Sequence, residues 1–160
     1  LRPRYENAES LRLETSFRQH LENIWGVTLE KLKISYEIDC GVTKNDRVVG
    51  LAELKCRRYN FGDFPTYLLS LQKFRTGIVY SRVMHVPFVL MVEWLGRGDN
   101  PPEPSIKQYV FQKSHLDIID FAMAGRRDRN DPDDIEICAM IPQHLFTELT
   151  DFFPGLDRNN

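Results

Sequence analysis

The sequence reads as an α/β domain with a mixed β-sheet flanked by helices: an N-terminal helix, a β-hairpin, a crossover helix and a central strand. Three stretches lead there. Residues 32–43 alternate apolar with polar and pass through the turn signal Lys44-Asn45-Asp46 into the apolar run Val48–Cys56, a hairpin pattern. Residues 65–84 place apolar side chains at 3–4 spacing, a helical pattern. Val86-Pro87-Phe88-Val89-Leu90-Met91-Val92-Glu93-Trp94 is nearly continuous apolar sequence, as in a strand covered on both faces. A strand, a long helix and a second strand make a crossover unit, which sets 48–56 and 86–94 parallel.

In chain order, residues 7–25 form a helix whose stripe is Phe17, Leu21 and Ile24. Three positions before Phe17 stands Glu14, an acid where the stripe points inward; the plain alternative is a stripe that ends at Phe17 with Glu14 at a wet end. Gly26 closes the helix. In the hairpin, Ile34, Tyr36, Ile38, Cys40 and Val42 face one way, and Ser35, Glu37, Asp39 and Gly41 the other. A two-residue loop pairing Lys44 with Arg47 puts Asp39 opposite Ala52, on the face away from Glu53. An odd-length loop or a bulge pairs Asp39 with Leu51 and Glu37 with Glu53, and gathers Asp39, Glu53 and Lys55 on one face; this register is the expectation.

Residues 57–65 form a loop that begins with Arg57 and Arg58, which read either as a solvated strand end or as phosphate contacts. The helix over 65–84 starts with Pro65 in its first turn. Leu68, Leu71, Phe74 and Ile78 form its apolar stripe, and Ser70, Lys73, Gly77 and Tyr80 a neighbouring face. Residues 96–105 read as a surface loop, 106–112 as a strand, 116–124 as either element, 125–134 as a charged solvated loop and 135–141 as a strand. A short helix opens within 141–146, and residues 154–160 read as a disordered tail. No repeat or linker divides the chain, so residues 1–160 form a single domain.

Composition narrows the function. A net charge of −2 is not that of a protein coating nucleic acid without specificity, so any polyanion must meet a local basic patch. The longest apolar run, Val86–Leu95, is interrupted by Glu93 and too short to cross a bilayer, and no secretory segment is evident. Cys40, Cys56 and Cys138 are odd in number and scattered; they point to a reducing compartment, the cytoplasm, and away from zinc or an iron–sulfur cluster. His20, His85, His115 and His144 form no metal-ligand pattern.

The chemistry gathers at Glu53-Leu54-Lys55. Residues two apart share a sheet face, and an acid beside a base in a buried strand costs several kcal/mol unless paired or bound to metal. An ion pair at a strand end is the bland reading. Asp39 on the paired strand and Glu14 on a neighbouring helix extend the set toward a Mg²⁺ or Mn²⁺ site, where a lysine beside the ion can orient water. A neighbouring cation should push the pKa of Lys55 down.

Asp39, then Glu53-x-Lys55 on the far arm of a hairpin, preceded by a helix with an inward Glu and followed by a long helix and an apolar strand, resembles the PD-(D/E)xK nuclease superfamily over residues 7–95. It is most similar to the small nucleases and Holliday-junction-resolvase-like members of phages and bacteria. The resemblance implies a restriction-endonuclease-like core. It implies metal ligation by Asp39, Glu53 and the Leu54 carbonyl, action of Lys55 on the attacking water, and Glu14 as an accessory acid. It sets the Ser70–Lys73 face along the site, with Lys73 near phosphate. Mg²⁺, with Mn²⁺ as a substitute, is the implied cofactor. DNA is the implied substrate, RNA stays open, no membrane is involved, and a homodimer follows by analogy with duplex cutters. Two departures stand out: Ile38 replaces the proline before the Asp, and the family's first strand is either short, near Thr28–Lys31, or absent. Glu37 rivals Asp39 as the first acid, whereas turn chemistry explains Asp46. The arginines of 125–134 could touch a phosphate backbone. A binding or structural protein that keeps the acids only as an ion-pair network is the alternative function.

Overall fold

The computed structural model describes residues 7–125 and 135–156. Helix α1 (Ala8–Trp25) starts where the Asn7 side chain accepts the Ser10 N–H at 2.8 Å, and ends at Gly26 with φ 61°. Phe17, Leu21 and Trp25, at four-residue spacing, are its buried stripe. Strands β1 (Thr28–Lys31), β2 (Cys40–Lys44) and β3 (Arg47–Arg57) form an antiparallel meander. Strand β4 (Thr66–Ser70) precedes α2 (Leu71–Met84), which leads to β5 (Phe88–Trp94) and β6 (Ser105–Val110). Strands β7 (Asp120–Gly125), β8 (Ile135–Pro142) and β9 (Thr147–Glu148) complete the order.

One sheet runs β1-β2-β3-β5-β6-β9 and a second β4-β8-β7. Among the described residues only β3 and β5 pair in parallel, as the crossover requires; the other pairs are antiparallel. The fold is thus α/β with a mixed sheet and two α-helices, consistent with a restriction-endonuclease-like core.

Alternation along β3 and β5 divides the core. Ala52, Leu54, Val89 and Met91 pack against α1 on one face. Leu90, Val92 and Trp94 pack on the other against Phe74 of α2 and against Tyr67, Leu69 and Ile141 of the second sheet. Gly77 lets α2 close on β5, since a Cβ there would lie 2.2 Å from the Phe88 ring.

Three expectations need correction. The stretch 32–43 is not one strand: 34–36 is a 3₁₀ turn, Glu37 takes a left-handed φ of 60°, and pairing begins only at Cys40. Ile34 and Tyr36 are exposed. The partner of β2 on that side is β1, so residues 32–39 are a connection, closed by Leu32 N–H donating to the Asp39 carbonyl at 2.8 Å. Residues 65–84 are likewise not one helix. Thr66–Ser70 pairs with β8, a partner no local pattern reveals, and a short apolar run is ambiguous between helix and strand. Near the C-terminus, the expected helix is a 3₁₀ turn over Gln143–Leu145, followed by β9 on the edge of the first sheet. Residues 154–156 carry Leu156 partly buried against the core.

Candidate metal centre and its cleft

The hairpin register builds the site. Asn45 and Asp46, with φ of 49° and 59°, form a two-residue loop between paired Lys44 and Arg47. Thr43 pairs with Val48 but Val42 with Gly50, so Val49 is an extra residue in a bulge. Beyond the bulge Cys40 faces Ala52, and the next step sets Asp39 across from Glu53. The expected pairing of Asp39 with Leu51 is therefore two residues off. Its parity is the same, which is what places both carboxylates on one face.

Glu53 is fully buried. Its Oε2 accepts the Asp39 N–H at 3.1 Å, and its Oε1 lies 2.5 Å from Nζ of both Lys55 and Lys73. Asp39 Oδ2 accepts the Leu54 N–H at 3.0 Å and lies 3.4 Å from Lys55 Nζ; Oδ1 lies 3.2 Å from Lys73 Nζ. Two carboxylates thus meet two ammonium groups. Burial pushes the Asp39 carboxyl up, but Lys55, Lys73 and the Leu54 N–H outweigh it and hold the group down at about 2. Burial likewise opposes charge on Lys55, but Glu53 and then Asp39 outweigh it and raise its pKa above the usual lysine range. The downward shift expected for Lys55 presupposed a neighbouring cation; the two carboxylates by themselves shift it upward.

The Leu54 side chain packs on the α1 face, while its N–H leaves the β3 edge toward Asp39. In an extended residue the carbonyl leaves by the same edge as the N–H, so the Leu54 oxygen is on the Asp39 side. Asp39, Glu53 and this carbonyl are an all-oxygen donor set. It fits a hard divalent ion that keeps waters and takes phosphate oxygens, as Mg²⁺ does. Among the described residues no three Asp, Glu, His or Cys side chains cluster as ligands.

Glu14 is not brought to this set. It lies on α1, against the sheet face away from Glu53, and pairs with Lys31 at 2.9 Å. Ser70 precedes the first turn of α2 and donates through Oγ to Glu136 Oε2 at 2.9 Å. Arg57 stacks over the Tyr67 ring at 5.2 Å, and exposed Arg58 pairs with Glu9. Lys55, Arg57, Arg58, Ser70, Lys73 and Glu136 line one cleft of about 1550 Å³. The arginines expected to reach phosphate from the 125–134 loop lie outside the described residues.

Tyr67 and Glu136 escaped the sequence reading, and Glu37 takes a different role from the one weighed for it. Glu37, the rival first acid, accepts from Thr76 Oγ1 at 3.0 Å and from Gln72, so it ties the 3₁₀ turn to α2 and does not face Glu53. Its neighbour Asp39 takes that place. Tyr67, whose hydroxyl burial pushes up to about 12, forms the floor under Arg57. Glu136 joins the cleft wall from β8. Of Tyr67 and Glu136, only Tyr67 left a hint, as an aromatic β-former within Thr66-Tyr67-Leu68-Leu69-Ser70.

A family model described as "Phage putative PDDEXK endonuclease" matches residues 1–149. No curated protein and no solved structure matches the chain.

Proposed function

The chain belongs to this phage PDDEXK endonuclease family, and from that premise we propose that it is a metal-dependent deoxyribonuclease that hydrolyses phosphodiester bonds. The observation that carries the reading is the convergence of Asp39, Glu53 and Lys55 at hydrogen-bond distance, with Lys55 in the cleft wall. Asp39, Glu53 and the Leu54 carbonyl would hold Mg²⁺, or Mn²⁺ in its place. When bound, the ion neutralises charge developing on the phosphorane and acidifies a bound water. Lys55 Nζ, kept protonated by the two carboxylates, orients the attacking water and balances the negative charge that develops in the reaction. Lys73, Ser70, Arg57 and Arg58 line the path of the sugar–phosphate backbone. The protein acts on DNA in the cytoplasm, and as a homodimer where both strands of a duplex are cut.

A second reading has its own support: two carboxylates matched by two lysines make a self-sufficient ion-pair network, as a nucleic-acid-binding protein without catalysis would keep. Incubation with plasmid, single-stranded DNA, branched DNA and RNA in Mg²⁺, Mn²⁺ or EDTA separates the two. Hydrolysis that needs the metal and falls about 100-fold or more in Lys55→Ala is expected. Cleavage of no substrate, or equal cleavage by the variant, leaves the binding protein.

A further inference from the structure

Resting on that nuclease reading, we propose that Lys73 is the internal counter-ion of the metal centre: its ammonium group stands in for the divalent ion in the metal-free protein and transfers to a substrate phosphate when the ion binds. The two lysines put their ammonium groups in competition with any ion that shares these carboxylates. Both ammonium groups lie 2.5 Å from the same oxygen, Glu53 Oε1, and each also reaches one oxygen of Asp39. A dication ligated by Glu53 and Asp39 takes those same oxygens and repels both ammonium groups at close range. One must leave.

The tethers decide which. Lys55 sits on β3, two residues from Glu53, and its backbone is held in the sheet by pairing with Val92 of β5. On the same face of the same strand, its side chain stays within reach of the carboxylate. Lys73 comes from another element, in the first turn of α2, and its stem lies along the cleft wall. That turn is itself anchored, because Gln72 and Thr76 on either side of Lys73 donate to Glu37. The Lys73 side chain can therefore swing into the cleft without the helix moving. Its destination suits an anion: no side chain caps α2, so the amides of its first turn are free to favour a phosphate beside Lys73. Leaving Glu53 thus exchanges one anionic partner for another, and ties substrate grip to metal occupancy.

Titration calorimetry of the whole protein with Mn²⁺ alone tests this. Both Lys73→Met and Lys73→Gln should bind Mn²⁺ at least about tenfold more tightly than wild type, because they remove a competing cation from the ligand oxygens. Lys73→Arg, which keeps the charge, should show no gain. In a matched assay on an oligonucleotide duplex, Lys73→Met should lower the salt dependence of binding by about one unit in Ca²⁺ but not in EDTA, where Lys73 is already held by Glu53. Unchanged or weaker Mn²⁺ binding by both neutral variants overturns the counter-ion role while leaving the metal site intact. A wild type that binds no Mn²⁺ overturns the nuclease reading and this role together.

Discussion

Glu53→Gln tests the ion-pair core of the site. The substitution keeps shape and an oxygen for the Asp39 N–H but removes the charge that two ammonium groups share at 2.5 Å. Breaking a fully buried pair costs about 3–5 kcal/mol. Here the carboxylate is buried but both lysines keep about a quarter of their side-chain surface in solvent, which brings the expected loss to about 2 kcal/mol. Urea unfolding in EDTA at neutral pH, with an unchanged m-value, measures it. The cycle with Lys73→Met isolates the pair. Once Lys73 is gone, Glu53→Gln strands only one ammonium, so the two changes should couple by about 1 kcal/mol or more. A loss under about 0.5 kcal/mol that adds to that of Lys73→Met would refute the claim that Glu53 neutralises both lysines.

Gly77→Ala sets two effects against each other. Alanine favours a helix interior over glycine by about 1 kcal/mol, but a Cβ 2.2 Å from the Phe88 ring must push α2 off β5. Overpacking of this kind costs about 1–3 kcal/mol, and at so short a distance should win; thermal unfolding should show a lower Tm. Asp39→Asn probes pH. Because the Asp39 pKa falls from the ordinary 3.8 to about 2 on folding, its ionised form stabilises the protein above pH 4 and that contribution is lost as pH falls toward 2. The stability gap between wild type and Asp39→Asn in EDTA should then be about 2 kcal/mol at pH 6 and close by pH 2. A gap that does not narrow on acidification counts against the paired carboxylate.

What could be read from the sequence followed local period. The stripe Phe17–Leu21 marked α1, and the run from Phe88 to Trp94 marked a strand buried on both faces. Glu53 and Lys55 stood out because charge two apart in an apolar run demands a partner. What escaped depended on contacts distant in the chain. Thr66–Ser70 looks helical until β8, about seventy residues on, supplies its ladder. Ile34 and Tyr36 alternate like strand residues although β1, not β3, determines where pairing starts. The sequence favours Asp39 over Glu37 as the first acid, but what separates their places is the bulge at Val49 and the left-handed turn at Glu37, both set by pairing geometry. Glu14 had the right spacing on its helix, but the layer that helix covers is decided by the whole sheet.

The ring of Phe153 is wholly buried, edge-on to Trp25 at 5.2 Å and over Gly50, where any Cβ would strike it. A chain emerging from the ribosome has therefore translated Asp39, Glu53, Lys55 and Lys73 about eighty or more residues before it owns the plug that seals α1 onto the bulged arm. Fragments cut at residue 149, where the family match stops, would retain all four of these residues and lose that seal.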